Sequence, residues 1–131
     1  MIIGIGCDTV NMERLNKSTE FLERFGKRIL GKDELAEFVQ NKPFDKDKII
    51  AKLAKLYAAK EAFSKALGTG FRDGIFLSDI QILHNKNGKP FFKIEGEALR
   101  ALQKLSLTTE LHLSISDDYP VATAFVIIEA K

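Results

Sequence analysis

Apolar positions in this chain follow two different periods, and the two are largely segregated along it. Ile2, Ile3 and Ile5, broken only by Gly4 and Gly6, predict a buried first strand ending near Asp8. The two glycines allow other backbone, or a ligand, to approach closely. A short helical region follows from Asn11, and then two helical patterns over residues 19–30 and 33–39, separated by Gly31. Pro43 and the mixed charges of residues 45–48 mark a loop. The longest pattern covers residues 46–67, where Ile49, Leu53, Leu56, Phe63 and Leu67 recur at helical spacing. Alanines at 51, 54, 58, 59, 62 and 66 let neighbours pack against this helix on more than one side, and Gly68-Thr69-Gly70 caps its end. It is the expected central helix.

The period then changes. Residues 77–83 alternate as a strand, Asn87-Gly88 is a hairpin signal, and Pro90–Ile94 is the returning strand. A short helix over 97–105 precedes two more strands, 111–116 and 121–128, joined by Asp117-Asp118-Tyr119-Pro120. Helices early and hairpins late predict an α+β fold with a mainly antiparallel sheet around the long central helix. With 131 residues, no internal repeat and no linker, one domain over 1–131 is expected.

Composition narrows the class. Hydrophobic residues at 45% and charged residues at 29% fit a folded globular chain. A net charge of +2 does not by itself imply nucleic-acid binding, although Arg24, Lys27, Arg28 and Lys32 lie close together. No stretch approaches the roughly 18 apolar residues of a membrane span. The single cysteine, Cys7, and an amino terminus without a basic leader predict a cytoplasmic protein with nothing removed.

Candidate chemistry concentrates at two places. Glu61 and Lys65 are four apart and project from one helix face, above a row of Tyr57, Ala58, Ala54 and Ile50. Taken alone, such a pair is most often a surface ion pair worth a few tenths of a kcal/mol. The apolar row beneath it asks for a partner for the carboxylate, and a metal ion would be one. Asp8 is equally ambiguous, as a turn residue or as a hard-metal ligand at a strand end. Two carboxylates from separate elements are a usual way to hold magnesium on a pyrophosphate, but spacing alone does not bring Asp8 and Glu61 together. His84 and His112 lack metal-ligand spacing, Cys7 reads as a core residue, and Ser114 and Ser116 read as the polar side of a strand.

At these residues the chain resembles the holo-[acyl-carrier-protein] synthase family of phosphopantetheinyl transferases. The resemblance runs through Gly4-Ile5-Gly6-Cys7-Asp8, Arg14, Arg24-Phe25, Arg28-Ile29-Leu30 and Glu34. It continues through the block from Ala58-Ala59-Lys60-Glu61-Ala62-Phe63-Ser64-Lys65 to Gly68-Thr69-Gly70, then Asn87-Gly88-Lys89-Pro90 and Leu113-Ser114-Ile115-Ser116-Asp117, with Ala122 and Ala124. It implies a 4'-phosphopantetheinyl transferase-like fold, assembled as a homotrimer with active sites between subunits. It implies a transferase that moves the phosphopantetheine arm of coenzyme A to a serine of apo acyl carrier protein, as in fatty acid biosynthesis, releasing adenosine 3',5'-bisphosphate. The positions matching Asp8 and Glu61 would bind Mg2+, and Lys65 would assist the leaving group. Lys60, Ser64, Lys65, Gly68, Ser114, Ser116 and Asp117 would hold coenzyme A, and Arg14, Arg24 and Arg28 would dock the acidic carrier. Asp8, a metal-activated water, or Glu61 through water would take the serine proton.

Two departures from the family pattern stand out. Leu56 occupies a position where members commonly carry an arginine that reaches the coenzyme A phosphates, and Lys52 or Lys55 would have to compensate. Gly31 replaces a hydroxyl residue that often caps the next helix, at an expected cost of a few tenths of a kcal/mol. Two rival functions remain in view. A non-enzymatic module could bind an acidic partner or nucleic acid through the basic cluster from Arg24 to Lys32, though without the interleaved aromatics of a nucleic-acid surface. A magnesium-dependent phosphohydrolase could use the same carboxylates.

Overall fold

The computed structural model describes residues 1–69 and 74–131. Five strands and four α-helices are ordered as β1 (Ile2–Asn11), α1 (Thr19–Ile29), α2 (Lys32–Gln40), α3 (Lys46–Leu67), β2 (Ile80–His84), β3 (Pro90–Ile94), α4 (Gly96–Leu105), β4 (Thr109–Asp118) and β5 (Val121–Ala130). Single 3-10 turns sit at Met12–Leu15 and Leu77–Asp79. All strand pairs are antiparallel, in a three-stranded sheet ordered β1-β5-β4 and a separate β2-β3 hairpin. The expected α+β architecture with a long central helix is what forms. Gly70, expected in the glycine cap after α3, lies outside the described residues.

Two boundaries differ, each for a local reason. Strand β1 runs on past Asp8 to Asn11 because every residue to that point stays in register with β5. Helix α3 spans the expected residues 46–67, and Asp45 caps its start by accepting a hydrogen bond from the Asp47 N–H. Residues 77–79 form a turn rather than a strand start. The carbonyls of Leu77 and Ile80 both accept from Lys60 Nζ, at 3.1 and 2.5 Å. Carbonyls three residues apart in a strand point opposite ways, so converging on one ammonium requires the turn.

Helix α3 lies directly across β1 and β5. A Cβ placed on Gly6 would fall 1.9 Å from the Ala62 carbonyl oxygen, and one on Gly4 would fall 2.3 Å from that of Ala66. The helix backbone therefore rests on strand backbone. Opposite it, β5 turns Ala122, Ala124, Val126 and Ile128 inward, all fully buried, as are Ala58, Ala59, Ala62 and Phe63 of the helix. The Phe63 ring meets Phe92 of β3 at 5.2 Å between centroids, which brings the hairpin onto the same core.

One ion pair lies inside that core. Lys60 is fully buried and its ammonium is 2.6 Å from Glu34, which also accepts from the Gly31 and Ile82 N–H groups at 3.0 Å each. Burial pushes the Glu34 carboxyl up and the Lys60 ammonium down, and in each case the partner opposes the shift. The same cluster corrects the expectation for Gly31. The Glu34 N–H that a capping hydroxyl would have satisfied is taken at 2.9 Å by Gln81 Oε1 from β2. A Cβ on Gly31 would stand 2.5 Å from that Gln81 side chain, so glycine makes room for a cap supplied from another element.

Gly6→Ala should therefore lower the unfolding free energy by about 3 kcal/mol, because backbone rather than a flexible side chain blocks the added methyl; urea unfolding measures it, and a loss below about 1 kcal/mol would contradict the contact. Lys60→Met alone should cost roughly 3–5 kcal/mol by leaving Glu34 buried and unpaired, and the double change Lys60→Met/Glu34→Leu should recover a large part of that in the same assay.

Candidate active site

The inward positions of β1 are Gly4, Gly6, Asp8 and Val10, so the residue that follows the glycines on that face is a carboxylate. The contacts of β1 step back along α3, Gly4 at Ala66 and Gly6 at Ala62, so Asp8 comes to lie on the Glu61 side of the last turn and the long Lys65 side chain reaches back to it. Lys65 Nζ lies 2.9 Å from Asp8 Oδ1 and donates also to the Cys7 carbonyl at 3.2 Å. Asp8 is largely covered, with 16% of its side chain exposed, whereas 55% of the Lys65 side chain faces solvent. The pair is thus a covered acceptor with a cation at the open side. The Asp8 carboxylate raises the Lys65 pKa above the ordinary lysine value, so the ammonium stays charged throughout the physiological range.

Glu61 completes the cluster from one turn earlier on α3. Burial pushes its carboxyl up; the neighbouring Tyr57 hydroxyl opposes this, while the nearby Asp8 charge adds to it. Two carboxylates from separate elements are therefore close enough to repel, with one lysine beside them. Tyr57 itself is pushed up to about 12, by burial first and by the Glu61 and Asp8 charges after it, so the phenol keeps its proton. Arg28 of α1 acts on the same phenol from the other side. Arg24 and Arg28 are exposed on α1, and Arg14 is exposed on the 3-10 turn after β1.

The residues expected around coenzyme A fall into separate places. Lys65 is at the carboxylates, and Gly68 ends α3 one turn further on in a left-handed cap (φ +83°). Lys60 and Ser64 do not face a ligand: Lys60 is enclosed by Glu34 and two carbonyls, and the buried Ser64 hydroxyl donates to the Glu61 carbonyl at 2.8 Å. Their placement corrects the expectation, because the face of α3 that carries them is the one packed into the core. Ser114 and Ser116 lie exposed on the side of β4 opposite to Leu111, Leu113 and Ile115, hence away from α3. Asp117 is 3.7 Å from Lys55 and borders a hollow of about 550 Å³ lined also by Lys48, Lys52, Leu56 and His84.

That hollow, and the Tyr57 hydroxyl, are what sequence reasoning missed. The lysines were visible as a series on α3, but nothing in their spacing announced that the β2-β3 hairpin would wall them. Tyr57 was visible one turn before Glu61 yet read as part of an apolar row. Among the described residues, Glu110, His112 and Glu129 also bring three ligand-type atoms within 4.8 Å of one another, on the exposed side of the sheet. His112 there is already bonded to Glu129 at 3.0 Å, as an ordinary cross-strand pair.

Comparison with known proteins gives this geometry a context. The model of the 4'-phosphopantetheinyl transferase superfamily matches residues 4–124. A holo-[acyl-carrier-protein] synthase of Erythrobacter litoralis is 44% identical over 134 residues, covering 99% of this chain and 98% of that protein. The crystal structure of a holo-ACP synthase from Plasmodium yoelii superposes with a TM-score of 0.84 at 31% identity, over 100% of this chain and 97% of the other. A Bacillus anthracis holo-(acyl-carrier-protein) synthase, crystallised with coenzyme A, gives a TM-score of 0.77 at 31% identity over 100% and 99%. The carboxylates of β1 and α3, the lysine between them and the glycine-cushioned helix thus sit in a chain that belongs to the 4'-phosphopantetheinyl transferase superfamily.

Proposed function

We propose that this chain is a holo-[acyl-carrier-protein] synthase, which transfers the 4'-phosphopantetheine arm of coenzyme A to a serine of apo acyl carrier protein. The observation that carries the reading is the meeting of Asp8, Glu61 and Lys65 at the junction of β1 and α3, in a chain whose near full-length relatives bear that name. In this reaction the serine oxygen forms a bond to the β-phosphorus of coenzyme A, and the bond from that phosphorus to the bridging oxygen breaks. The serine proton departs, and adenosine 3',5'-bisphosphate leaves with the bridging oxygen's charge.

Asp8 and Glu61 fit Mg2+ by the chemistry of their donor set: two hard, mutually repelling carboxylates with a single lysine to offset them. Bound there, the ion would neutralise charge on the pyrophosphate oxygens. Lys65 stays protonated, is held at the rim by Asp8, and has enough exposure to follow the leaving phosphate. The left-handed turn at Gly68 ends α3 three residues beyond Lys65. Asp8, a metal-activated water, or Glu61 through water would take the serine proton.

A homotrimer with sites between subunits is supported by how the expected coenzyme contacts are dispersed. One chain keeps Lys65 and Gly68 on one side of α3, and Ser114, Ser116 and Asp117 elsewhere. The sheet face away from α3 exposes Ile5, Cys7, Val121 and Phe125, an apolar surface suited to cover by another copy. In such an assembly the lysine-lined hollow beside Asp117 would offer its cations to phosphate groups reaching over from a neighbour's carboxylates. The exposed arginines of α1 suit an acidic carrier protein, since their guanidinium forks bind carboxylates bidentately. No helix among the described residues is long and apolar enough to cross a membrane, and a cytoplasmic setting is the one this reading assumes.

Asp8→Ala, Glu61→Ala and Lys65→Ala should each lower transfer by about 100-fold or more while the far-UV circular dichroism is retained; mass spectrometry of the carrier protein reads the added arm, and near-wild-type turnover in all three would remove the assignment. Adenosine 3',5'-bisphosphate should appear only when carrier protein is present, which separates transfer from hydrolysis. Arg14→Glu or Arg24→Glu should raise the carrier-protein KM on the order of tenfold and leave the coenzyme A KM within about twofold; equal effects on both substrates would sink the docking role.

A further inference from the structure

His84 ends β2 at the lip of the lysine-lined hollow, and its ring is held from α2. One oxygen of the Glu37 carboxylate accepts from the His84 backbone N–H at 3.0 Å, and the other lies 3.1 Å from ring Nδ1. An ionised carboxylate only accepts, so Nδ1 carries a proton toward Glu37 and Nε2 is the nitrogen left for another partner. Among the described residues, the His84 ring makes no further hydrogen bond. The two-point clamp thus fixes both the ring's direction and which of its nitrogens is free. The hairpin beyond it is also held. Asn85 Oδ1 accepts from the Asn87 and Lys89 N–H groups at 2.9 and 3.0 Å, and Pro90, opposite His84 in the hairpin, lines the same hollow.

The other charged groups at the hollow are Lys48, Lys52 and Lys55 of α3 and Asp117 of β4, which is paired with Lys55. Ammonium groups attract any anion. An imidazole nitrogen does something else, because it gains or loses its proton close to neutral pH. A phosphate monoester does the same, with a second pKa of about 6. The two share one proton in a charge-assisted hydrogen bond, whichever of them carries it. A phosphodiester, or the phosphates within a substituted pyrophosphate, has no such proton to share. We propose that His84, clamped by Glu37, is a specificity residue that makes the hollow select a phosphate monoester, which in the transfer reaction is the 3'-phosphate of coenzyme A. The inference rests on that reading of the reaction, in which the pyrophosphate is taken by Asp8, Glu61 and Lys65 and the monoester is the phosphate that remains.

The experiment measures transfer by the full-length protein from coenzyme A and from 3'-dephospho-coenzyme A, for the wild type, His84→Gln and Glu37→Gln. Calorimetry with adenosine 3',5'-bisphosphate and with adenosine 5'-monophosphate gives affinity apart from turnover, and thermal unfolding is recorded for each protein. His84→Gln should lower kcat/KM for coenzyme A on the order of tenfold, through KM, and leave that for 3'-dephospho-coenzyme A within about twofold. Its affinity for the bisphosphate should fall by a similar factor, and its affinity for the monophosphate should hold. Glu37→Gln should shift the same ratios in the same direction by a smaller factor, which keeps the inference testable should His84→Gln fold poorly. A loss of equal size on both substrates would mean that the pair only ties β2 to α2, and the specificity role is overturned. If the wild type itself treats the two substrates alike, the hollow does not receive the monoester; the inference falls and the transfer reading stands. If neither substrate supports transfer, that reading fails and takes the inference with it.

Discussion

Everything at the site depends on how closely α3 can lie on β1. Helices usually stand off a sheet by the length of their side chains, but here the Ala62 and Ala66 carbonyls occupy the space where Cβ atoms of Gly6 and Gly4 would be. The close approach has consequences in both directions. Beside the glycines the inward row of β5 can keep Val126 and Ile128, and beside Asp8 and Val10 it narrows to Ala124 and Ala122. It also sets the first side chain after the glycines on that face beside the helix, within reach of a side chain from the last turn. That side chain is Asp8, and what it meets is Lys65. A one-residue slip of β1 against β5 would turn Asp8 to the other face and remove the site without altering a single functional residue.

Helix geometry then sorts the block Lys60-Glu61-Ala62-Phe63-Ser64-Lys65 into two populations. Lys60 and Ser64, four apart, point into the core; Glu61 and Lys65, also four apart and one step round, point to the rim. Two lysines five residues apart thus have opposite tasks. One ties α3 to α2 and to the turn before β2, through partners 26, 17 and 20 residues distant. The other stays charged at the edge of the carboxylate cluster. Holding Lys60 rigidly keeps the register of α3, and so the azimuth of Glu61, independent of whatever occupies the rim.

Local patterning made most elements legible, because the periods of α3 and of the β2-β3 hairpin reflect burial set by their own residues. Failures came where the deciding partner lies far along the chain. Lys60 looks like a ligand-binding lysine beside Glu61 until Glu34 is placed on top of it. Gly31 looks like a missing cap until Gln81 fills the gap. Residues 77–79 look like a strand until a buried ammonium draws the carbonyls of Leu77 and Ile80 together. In each case a long-range polar contact overrode a correct local preference, and polar burial leaves no periodic trace in a sequence. The carboxylates were identified as residues but not as a pair, since only the sheet register and the glycine contact bring β1 to the end of α3.

The Leu56 departure looks different once placed. Leu56 is buried and forms part of the wall of the hollow, so charge at this place comes from the neighbouring lysines. Neither of the two expected substitutes is idle: Lys52 lies over the Phe38 ring at 5.4 Å, and Lys55 is paired with Asp117. Both pairings are weak, since a half-exposed ion pair and a single cation–π contact contribute about 1 kcal/mol or less. A phosphate carrying two charges outcompetes either one, but each lysine must give up its partner to bind. A lysine also lacks the planar fork that would fix the phosphate's orientation. Replacing one arginine by movable lysines therefore conserves attraction for an anion while surrendering geometry, and the precision of the site falls back on the rigid β1–α3 contact.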